Sequence, residues 1–203
     1  MQRLELDGAL LERLAEAAHE IYRAGVHAQT ERDATLIPAI DAALEGIEAR
    51  WPGLPLRLIS ALAEGSDRLV VERALCRPQA QLLVPLPMPA ADYALDFRLP
   101  DSQTHFTHLL AQADEVIRFP PVATRSAAYT AAGRYMLAHC DLLIALWDGQ
   151  PAHGDGGTGS VVAEARRAGL PLVWIRAHNH KPGAAHPSSA MVQGYTTFEN
   201  FET

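Results

Sequence analysis

The sequence is poor in the residues that build a disulfide framework, a zinc site or a membrane span. Its two cysteines, Cys76 and Cys140, lack the close spacing of zinc ligands, and both lie in apolar helical patterns that predict buried free thiols. No apolar run approaches the roughly 20 residues that cross a bilayer. The N-terminus lacks the apolar core of a signal peptide. We therefore expect a cytoplasmic protein that makes no contact with a membrane.

Basic residues are also scarce, with 17 lysines and arginines against 24 aspartates and glutamates and a formal net charge of -7. The longest basic run is Arg166-Arg167. A broad nucleic-acid surface needs clustered basic side chains, so the composition argues against one. A small anion is still compatible with this charge, because backbone N–H groups and one or two arginines can hold it.

The histidines do not form a metal-binding pattern. The polar segment after Arg176 carries His178, His180 and His186, but a metal site needs three or four ligands in a fixed geometry. We interpret them as scattered surface histidines and expect neither a metal nor a cofactor.

What the chain does have is an alternation of short apolar runs and helical patterns. Its 203 residues, 48% hydrophobic, fit one domain with a sizeable core. Helical periodicity covers 9–24 and 34–49. The strands predicted after these helices are 56–62, 81–84 (ended by Pro85), 115–119, 142–147 and 172–175. The helices predicted between them are 67–75, 90–97, 103–112, 125–139 and 160–168.

This alternation predicts an α/β fold: a Rossmann-like, doubly wound, mostly parallel sheet of about five strands flanked by helices. The nearly continuous apolar strands agree, because such strands are covered on both faces. We assign residues 1–176 to a single domain and 177–203 to a C-terminal extension. The end of the extension carries three aromatic residues, which predict that it docks on the domain or on a partner: Tyr195, Phe198 and Phe201.

The most informative segment runs from the fourth predicted strand into a glycine-rich loop and a helix. Its candidate ligand-binding residues are Asp148, Gly156, Gly157, Thr158 and Gly159, with Ser160 and Glu164 in the following helix. Glycines let the backbone approach a ligand, and the N-terminus of a helix attracts anions. Ligands of open α/β sheets bind at the carboxyl ends of the strands. The segment therefore predicts a site for a phosphate or a sugar.

Two further segments follow predicted strands and are expected at the same edge of the sheet. Ser60, Gly65 and Ser66 lie in a strand–turn–helix connection whose backbone N–H groups form an anion nest, or simply an ordinary capped turn. Tyr93 is a candidate for stacking on a base and Asp96 for accepting from hydroxyl groups, with surface packing as the alternative.

A fourth candidate is the predicted helix at 125–139, which comes before the fourth predicted strand and in which Gly133 precedes Arg134. A glycine inside a helix costs about 1 kcal/mol relative to alanine, so close approach of another element or a ligand is a reason to keep it. Arg134 then has the geometry to pair with a phosphate, and a solvated arginine is the alternative.

Several fragments appear in a characteristic order along the chain. They are Ser-Ala-Leu-Ala-Glu-Gly-Ser-Asp-Arg at 60–68, Pro-Leu-Pro at 85–87, Asp-Tyr at 92–93, Ala-Gly-Arg-Tyr at 132–135, Asp-Leu-Leu-Ile-Ala-Leu-Trp-Asp-Gly at 141–149 and Gly-Gly-Thr at 156–158. Together they resemble the SLOG superfamily, a Rossmann-like group that includes the DprA DNA-processing proteins and the Lonely Guy phosphoribohydrolases. The likeness covers roughly 55–176 and is greatest for bacterial relatives of the N-terminal domain of TRPM channels.

This resemblance implies a doubly wound parallel sheet with a nucleotide-derived ligand at the strand ends. The residues that it implies to face the ligand are Gly65, Ser66, Arg134, Asp148, Gly156, Gly157 and Thr158. We accordingly expect a domain that binds or senses a nucleotide or a nucleotide-derived molecule. A fold that has lost its pocket and serves as a scaffold is a further possibility.

The alternative is an enzyme that cleaves an N-glycosidic bond, as a phosphoribohydrolase or a nucleoside deoxyribosyltransferase does. Lonely Guy enzymes carry a Pro-Gly-Gly-x-Gly-Thr-x-x-Glu pattern and use a glutamate and an arginine, which makes Glu164 and Arg134 the candidate catalytic residues here. Asp155 occupies the position of the proline in that pattern, and Ser160 occupies the position of the threonine. Glu164 comes one residue later than the glutamate of the pattern, which rotates its side chain by about 100° around a helix. This departure favours binding over catalysis.

Relatives of this branch begin with a strand of the Gly-Val-Thr-Gly-His-Arg type, and Met1 falls just after that point. The chain start is then truncated, or another segment takes the place of that strand. A missing central strand leaves two sheet edges exposed, which favours pairing between chains. We therefore expect a homo-oligomer.

Overall fold

The computed structural model describes residues 34–99, 101–150, 157–178 and 192–201. The helix predicted at 9–24 lies outside these residues. The described elements, in chain order, are α1 (34–50), β1 (Arg57–Ile59), α2 (Ser66–Leu75), β2 (Gln81–Leu86), α3 (Ala90–Ala94), α4 (Ser102–Leu110), β3 (Glu115–Arg118), α5 (Arg125–His139), β4 (Leu143–Trp147), α6 (Thr158–Arg167), β5 (Leu172–Arg176) and β6 (Thr196–Glu199).

The described strands form two separate three-stranded sheets. The first has the order β1-β2-β3 and is parallel throughout. The second has the order β4-β5-β6, in which β4 and β5 are parallel and β6 is antiparallel to β5. The mixed α/β class is thus confirmed. The single sheet of about five strands is not found, because no ladder joins β1 to β4 within the described ranges.

Helices cover both faces of the second sheet. Ile175 and Leu146 pack against Leu44 of α1 in one buried cluster. On the other side, Ala145 packs against Val162 of α6. Successive residues of a strand point to opposite faces, which explains why Ala145 and Leu146 meet different helices. The apolar strands β4 and β5 are therefore covered on both faces, as their sequence predicted, whereas β1 and β3 are only partly buried.

The α1 helix also joins the two sheets. Its buried cluster includes Leu58 of β1 as well as Val173 of β5. Its polar side is tied to α2, where Arg73 donates to Asp41 through two hydrogen bonds of 2.9 and 2.8 Å. The first sheet has a core of its own, in which Leu82 packs with Phe106 of α4.

Pro85 does not end β2, contrary to the expectation from sequence. The strand continues to Leu86, with Pro85 opposite Ile117 of β3. On its other side, β1 has ended: the last backbone bond is from Ser60 N–H to Leu83 O, at 3.1 Å. Alternate residues of a strand direct their backbone groups to the same side, so Pro85 faces the same side as Leu83, toward β1. Because β1 has already ended there, the N–H that proline lacks would point past the end of β1.

The end of the C-terminal extension docks on the body of the protein, one of the two outcomes expected. β6 pairs with β5, and Glu199 accepts two hydrogen bonds from Arg166 of α6, at 2.8 and 2.7 Å. Phe201 packs against the α1 cluster and lies 6.0 Å from the ring of Trp51.

The cysteines only partly meet the expectation of buried thiols. Cys76 is exposed at the end of α2, where the apolar pattern of the helix gives way to solvent. Cys140 is half-buried, and burial raises the pKa of its thiol. Within the described residues, no helix is long and apolar enough to cross a membrane.

Candidate functional site

A cavity of about 1050 Å³ lies between β1 and β4. At the carboxyl end of β1 it reaches Ser60 and the start of α2 at Ser66. On the opposite wall it reaches Thr158, the first residue of α6. We call this part of the cavity the carboxyl-end site. Two helix N-termini therefore border one space at the strand ends, where ligands of α/β proteins bind.

Neither helix start has a side-chain cap. Gly65 precedes α2 with a φ of 99°, and Gly157 precedes α6 in an extended conformation. The first N–H groups of a helix have no partner inside the helix and carry a partial positive charge. These two starts thus offer donors to an anion at the carboxyl-end site.

Asp67 is the site residue to which the sequence analysis gave no role in binding a ligand. It lines the cavity beside Ser66 and accepts a hydrogen bond from the backbone N–H of Ala63. Burial raises the pKa of this carboxyl group, opposed by that hydrogen bond and by the charge of Arg68. The feature of the sequence that could have indicated this role is an acidic residue two positions after the glycine of a strand–helix turn.

Ser60 lines the cavity but has a structural task as well. Its Oγ accepts a hydrogen bond of 3.1 Å from the N–H of Leu62. Leu62 has a φ of 56° and is fully buried. Left-handed backbone is unfavourable for leucine, so this bond helps to hold the turn that leads from β1 into α2.

Tyr93 reaches the cavity from the core of the first sheet. It is 1% exposed, and its ring meets those of Phe97, Phe106 and Tyr129 at centroid distances of 5.0, 5.6 and 5.9 Å. Burial raises the pKa of its hydroxyl group. With three aromatic neighbours already around it, the ring belongs to the packing of α3 against α4 and α5.

Asp96 lies beside this aromatic cluster and is held by α5. It accepts hydrogen bonds from Tyr129 and Arg125, which together lower the pKa of its carboxyl group. Burial and the bond to Asp96 raise the pKa of Tyr129 to about 12. Tyr129 also lines the cavity, so this cluster fixes one of its walls.

The two candidate catalytic residues do not line the cavity. Arg134 is exposed on the outward side of α5, next to Thr130. Gly133 faces the cavity instead, 3.5 Å from Val161 of α6 as measured from the position of an added Cβ. Glu164 lies in the second half of α6 and is half-buried.

The glycine loop is only partly described. Gly156 lies outside the described residues, Gly157 is exposed before α6, and Gly159 lies in the first turn of that helix. Asp148 is half-buried and accepts a hydrogen bond of 3.0 Å from the N–H of Gln150, which closes a local turn. Of the predicted ligand-binding residues, Ser60, Ser66, Tyr93 and Thr158 line the cavity.

Comparison with known protein families and with curated proteins finds no match to this chain. Among the described residues, no group of histidine, cysteine or acidic side chains is arranged to hold a metal ion. What the site offers is therefore hydroxyl groups, one half-buried carboxyl group and two helix starts around a space large enough for a small organic molecule.

Proposed function

We propose that this protein binds a nucleotide or a nucleotide-derived molecule at the carboxyl-end site. One observation carries the proposal: the N-termini of α2 and α6 border the same cavity. A phosphate between them accepts from backbone N–H groups and from the hydroxyls of Ser66 and Thr158. Asp67, half-buried beside them, accepts from or donates to a sugar hydroxyl.

The cavity volume is compatible with such a ligand. Pockets for small molecules span roughly 300–1,000 Å³, and the whole cavity is about 1050 Å³. Its walls combine apolar side chains with polar ones, among them Ser60, Ser66 and Asp67. We further propose that the two sheets are the halves of a Rossmann-like, doubly wound arrangement of the SLOG type.

Binding is favoured over cleavage of an N-glycosidic bond. The two residues that the enzyme hypothesis assigns to catalysis, Glu164 and Arg134, do not line the cavity. We therefore expect that incubation with nucleoside monophosphates releases no free base. Release that is lost in Glu164→Gln would support the enzyme instead.

Calorimetric titration with AMP, cyclic AMP and ADP-ribose tests the proposal. Thr158→Val keeps the shape of the side chain and removes its hydroxyl group. We expect it to weaken binding by about 1 kcal/mol, close to fivefold in Kd, as does Ser66→Ala.

Arg134→Ala is the matched control, because this side chain is exposed outside the cavity. It should leave the affinity unchanged. The proposal fails if none of the three compounds binds, or if Arg134→Ala weakens binding as much as Thr158→Val.

A further inference from the structure

One wall of the carboxyl-end site carries a hydroxyl group that accepts and donates no hydrogen bond within the described residues. It belongs to Tyr93, which lines the cavity and is 1% exposed. The ring has its own partners in the aromatic cluster, but these offer the hydroxyl group no hydrogen bond. A buried hydroxyl group without a partner is costly, so a polar ligand group that reaches it is stabilised.

The carboxyl group of Asp67 lies close to this hydroxyl group. Burial, and after it the charge of Asp67, raise the pKa of Tyr93, and no other charged neighbour contributes as much as Asp67. Asp67 lines the same cavity and accepts from the backbone N–H of Ala63. An ionised carboxylate has about four acceptor positions, so that bond leaves Asp67 able to accept from a ligand.

Ser60 supplies the third polar group of this wall. It is 9% exposed and lines the cavity at the end of β1. Its Oγ accepts from the N–H of Leu62 at 3.1 Å, which leaves the hydroxyl hydrogen for a ligand. We call Ser60, Asp67 and Tyr93 the polar corner of the site.

The polar corner suits a hydroxyl group of a ligand better than a phosphate. A carboxylate at Asp67 repels an anion. The raised pKa of Tyr93 keeps its phenol protonated at neutral pH, so it both donates and accepts. An alcohol has the same double capacity and is able to accept from Tyr93 or Ser60 while it donates to Asp67.

We propose that the polar corner binds the ribose hydroxyl groups of the nucleotide and makes the site selective for ribonucleotides over nucleotides that lack these groups. Ser66, which contacts the phosphate in the proposed function, directly precedes Asp67. The Cα atoms of neighbouring residues are about 3.8 Å apart, so the start of α2 contacts the phosphate and the sugar of one nucleotide together. This inference rests on the proposed function and names the part of the ligand that the site distinguishes.

Calorimetric titration of the full chain with AMP and with 2′,3′-dideoxy-AMP tests the selectivity. We expect the dideoxy compound to bind at least about tenfold more weakly. A site built to hydrogen-bond a hydroxyl group rejects the analogue without it, because the buried polar groups of the site are then left unpaired.

Tyr93→Phe assigns the selectivity to the polar corner, because it keeps the ring and its packing and removes only the hydroxyl group. We expect it to weaken AMP about fivefold and to leave the dideoxy compound unchanged. Tyr135→Phe is the matched control. Tyr135 also lines the cavity, but it lies six residues beyond Tyr129 on α5, about 9 Å along the helix axis and toward the amino ends of the strands. It should leave both affinities unchanged.

The outcomes separate this inference from the proposed function. Equal affinity of the wild type for AMP and the dideoxy compound overturns the selectivity alone, whether or not the variants fold. An equal loss for both compounds in Tyr93→Phe overturns it too, because the hydroxyl group then supports the wall and not the ligand. Failure of AMP to bind also overturns it, whereas the proposed function fails only if cyclic AMP and ADP-ribose do not bind either.

Discussion

At the scale of single residues, Arg68 is the polar side chain on which the turn after β1 depends. It is 1% exposed, donates to Leu62 O at 2.9 Å, and donates to the carbonyl and hydroxyl oxygens of Ser102 at 2.8 and 2.7 Å. Its guanidinium lies 4.2 Å from the ring centroid of Phe97. It therefore connects the start of α2 to α4 beneath the carboxyl-end site.

Arg68→Ala should destabilise the fold by about 3–5 kcal/mol, because it leaves buried carbonyl groups without donors and opens a cavity. Urea unfolding measures the loss. Arg134→Ala, on an exposed side chain of α5, should stay within about 0.5 kcal/mol of the wild type. Equal stability of the two variants would contradict this role of Arg68.

The positions of several site residues could be predicted from the sequence, but their contacts and structural roles could not. Ser66 and Thr158 were predicted at helix starts, because strand, glycine and hydroxyl residue follow one another there. The buried role of Tyr93 could not be read from its neighbours in sequence, since Phe106 comes from another helix. Which side of α5 faces inward likewise depends on packing. Gly133 faces the cavity, whereas Arg134, the next residue, lies on the outward side.

At the scale of elements, β6 is held at the sheet edge by its ladder to β5 and by the Arg166–Glu199 pair. The hydrogen bonds from Arg166 lower the pKa of Glu199. A lowered pKa in the folded state means that the stabilisation is present above the unfolded value of about 4.3 and is lost as the pH falls below it. Both side chains are partly exposed, so the effect is about 1 kcal/mol or less.

Glu199→Gln should accordingly destabilise the protein by about 0.5–1 kcal/mol at pH 7. The difference from the wild type should shrink as the pH falls below about 4. Urea unfolding across this pH range measures it. Arg166→Gln removes the other partner of the pair and should show the same pH-dependent loss. Arg167→Gln, an exposed neighbour on the same helix, is its charge-matched control and should show none. A pH-independent loss in Glu199→Gln would contradict the ion pair as its cause.

The ends of a helix or strand could be predicted from the sequence where a neighbouring residue, such as a cap, determines them. α5 runs from Arg125 to His139 as predicted, and Thr124 caps it by accepting from Ala127 N–H at 3.1 Å. The extension of β2 through Pro85 was missed, because it depends on where β1 ends. Strand pairing is long-range in sequence, so apolar runs alone could not indicate that the strands divide into two sheets.

At the scale of the whole molecule, the cavity of about 1050 Å³ lies between the two sheets, because its lining includes residues of both β1 and β4. Contacts that couple the sheets are therefore made around this cavity, by helices.

No strand pairing joins the sheets in the part of the chain that the structure describes, where helices couple them and α1 makes the central contacts. Leu44 is fully buried in the cluster that also holds Leu58 of the first sheet and Ile175 of the second. Leu44→Ala should cost about 2–5 kcal/mol. Because it weakens the contacts between the sheets, we expect it to separate their unfolding transitions as well.

A Trp51→Phe background makes this separation measurable, because Trp147 and Trp174 then report on the second sheet alone. In that background, tryptophan fluorescence and far-UV circular dichroism should give coincident urea transitions. Leu44→Ala should split them. Leu109→Ala is similarly buried but packs only in the first-sheet core, so it should lower both midpoints together. If the Leu44→Ala transitions stay coincident, α1 is not the coupling element, and the sheets are held together by α5 and α6.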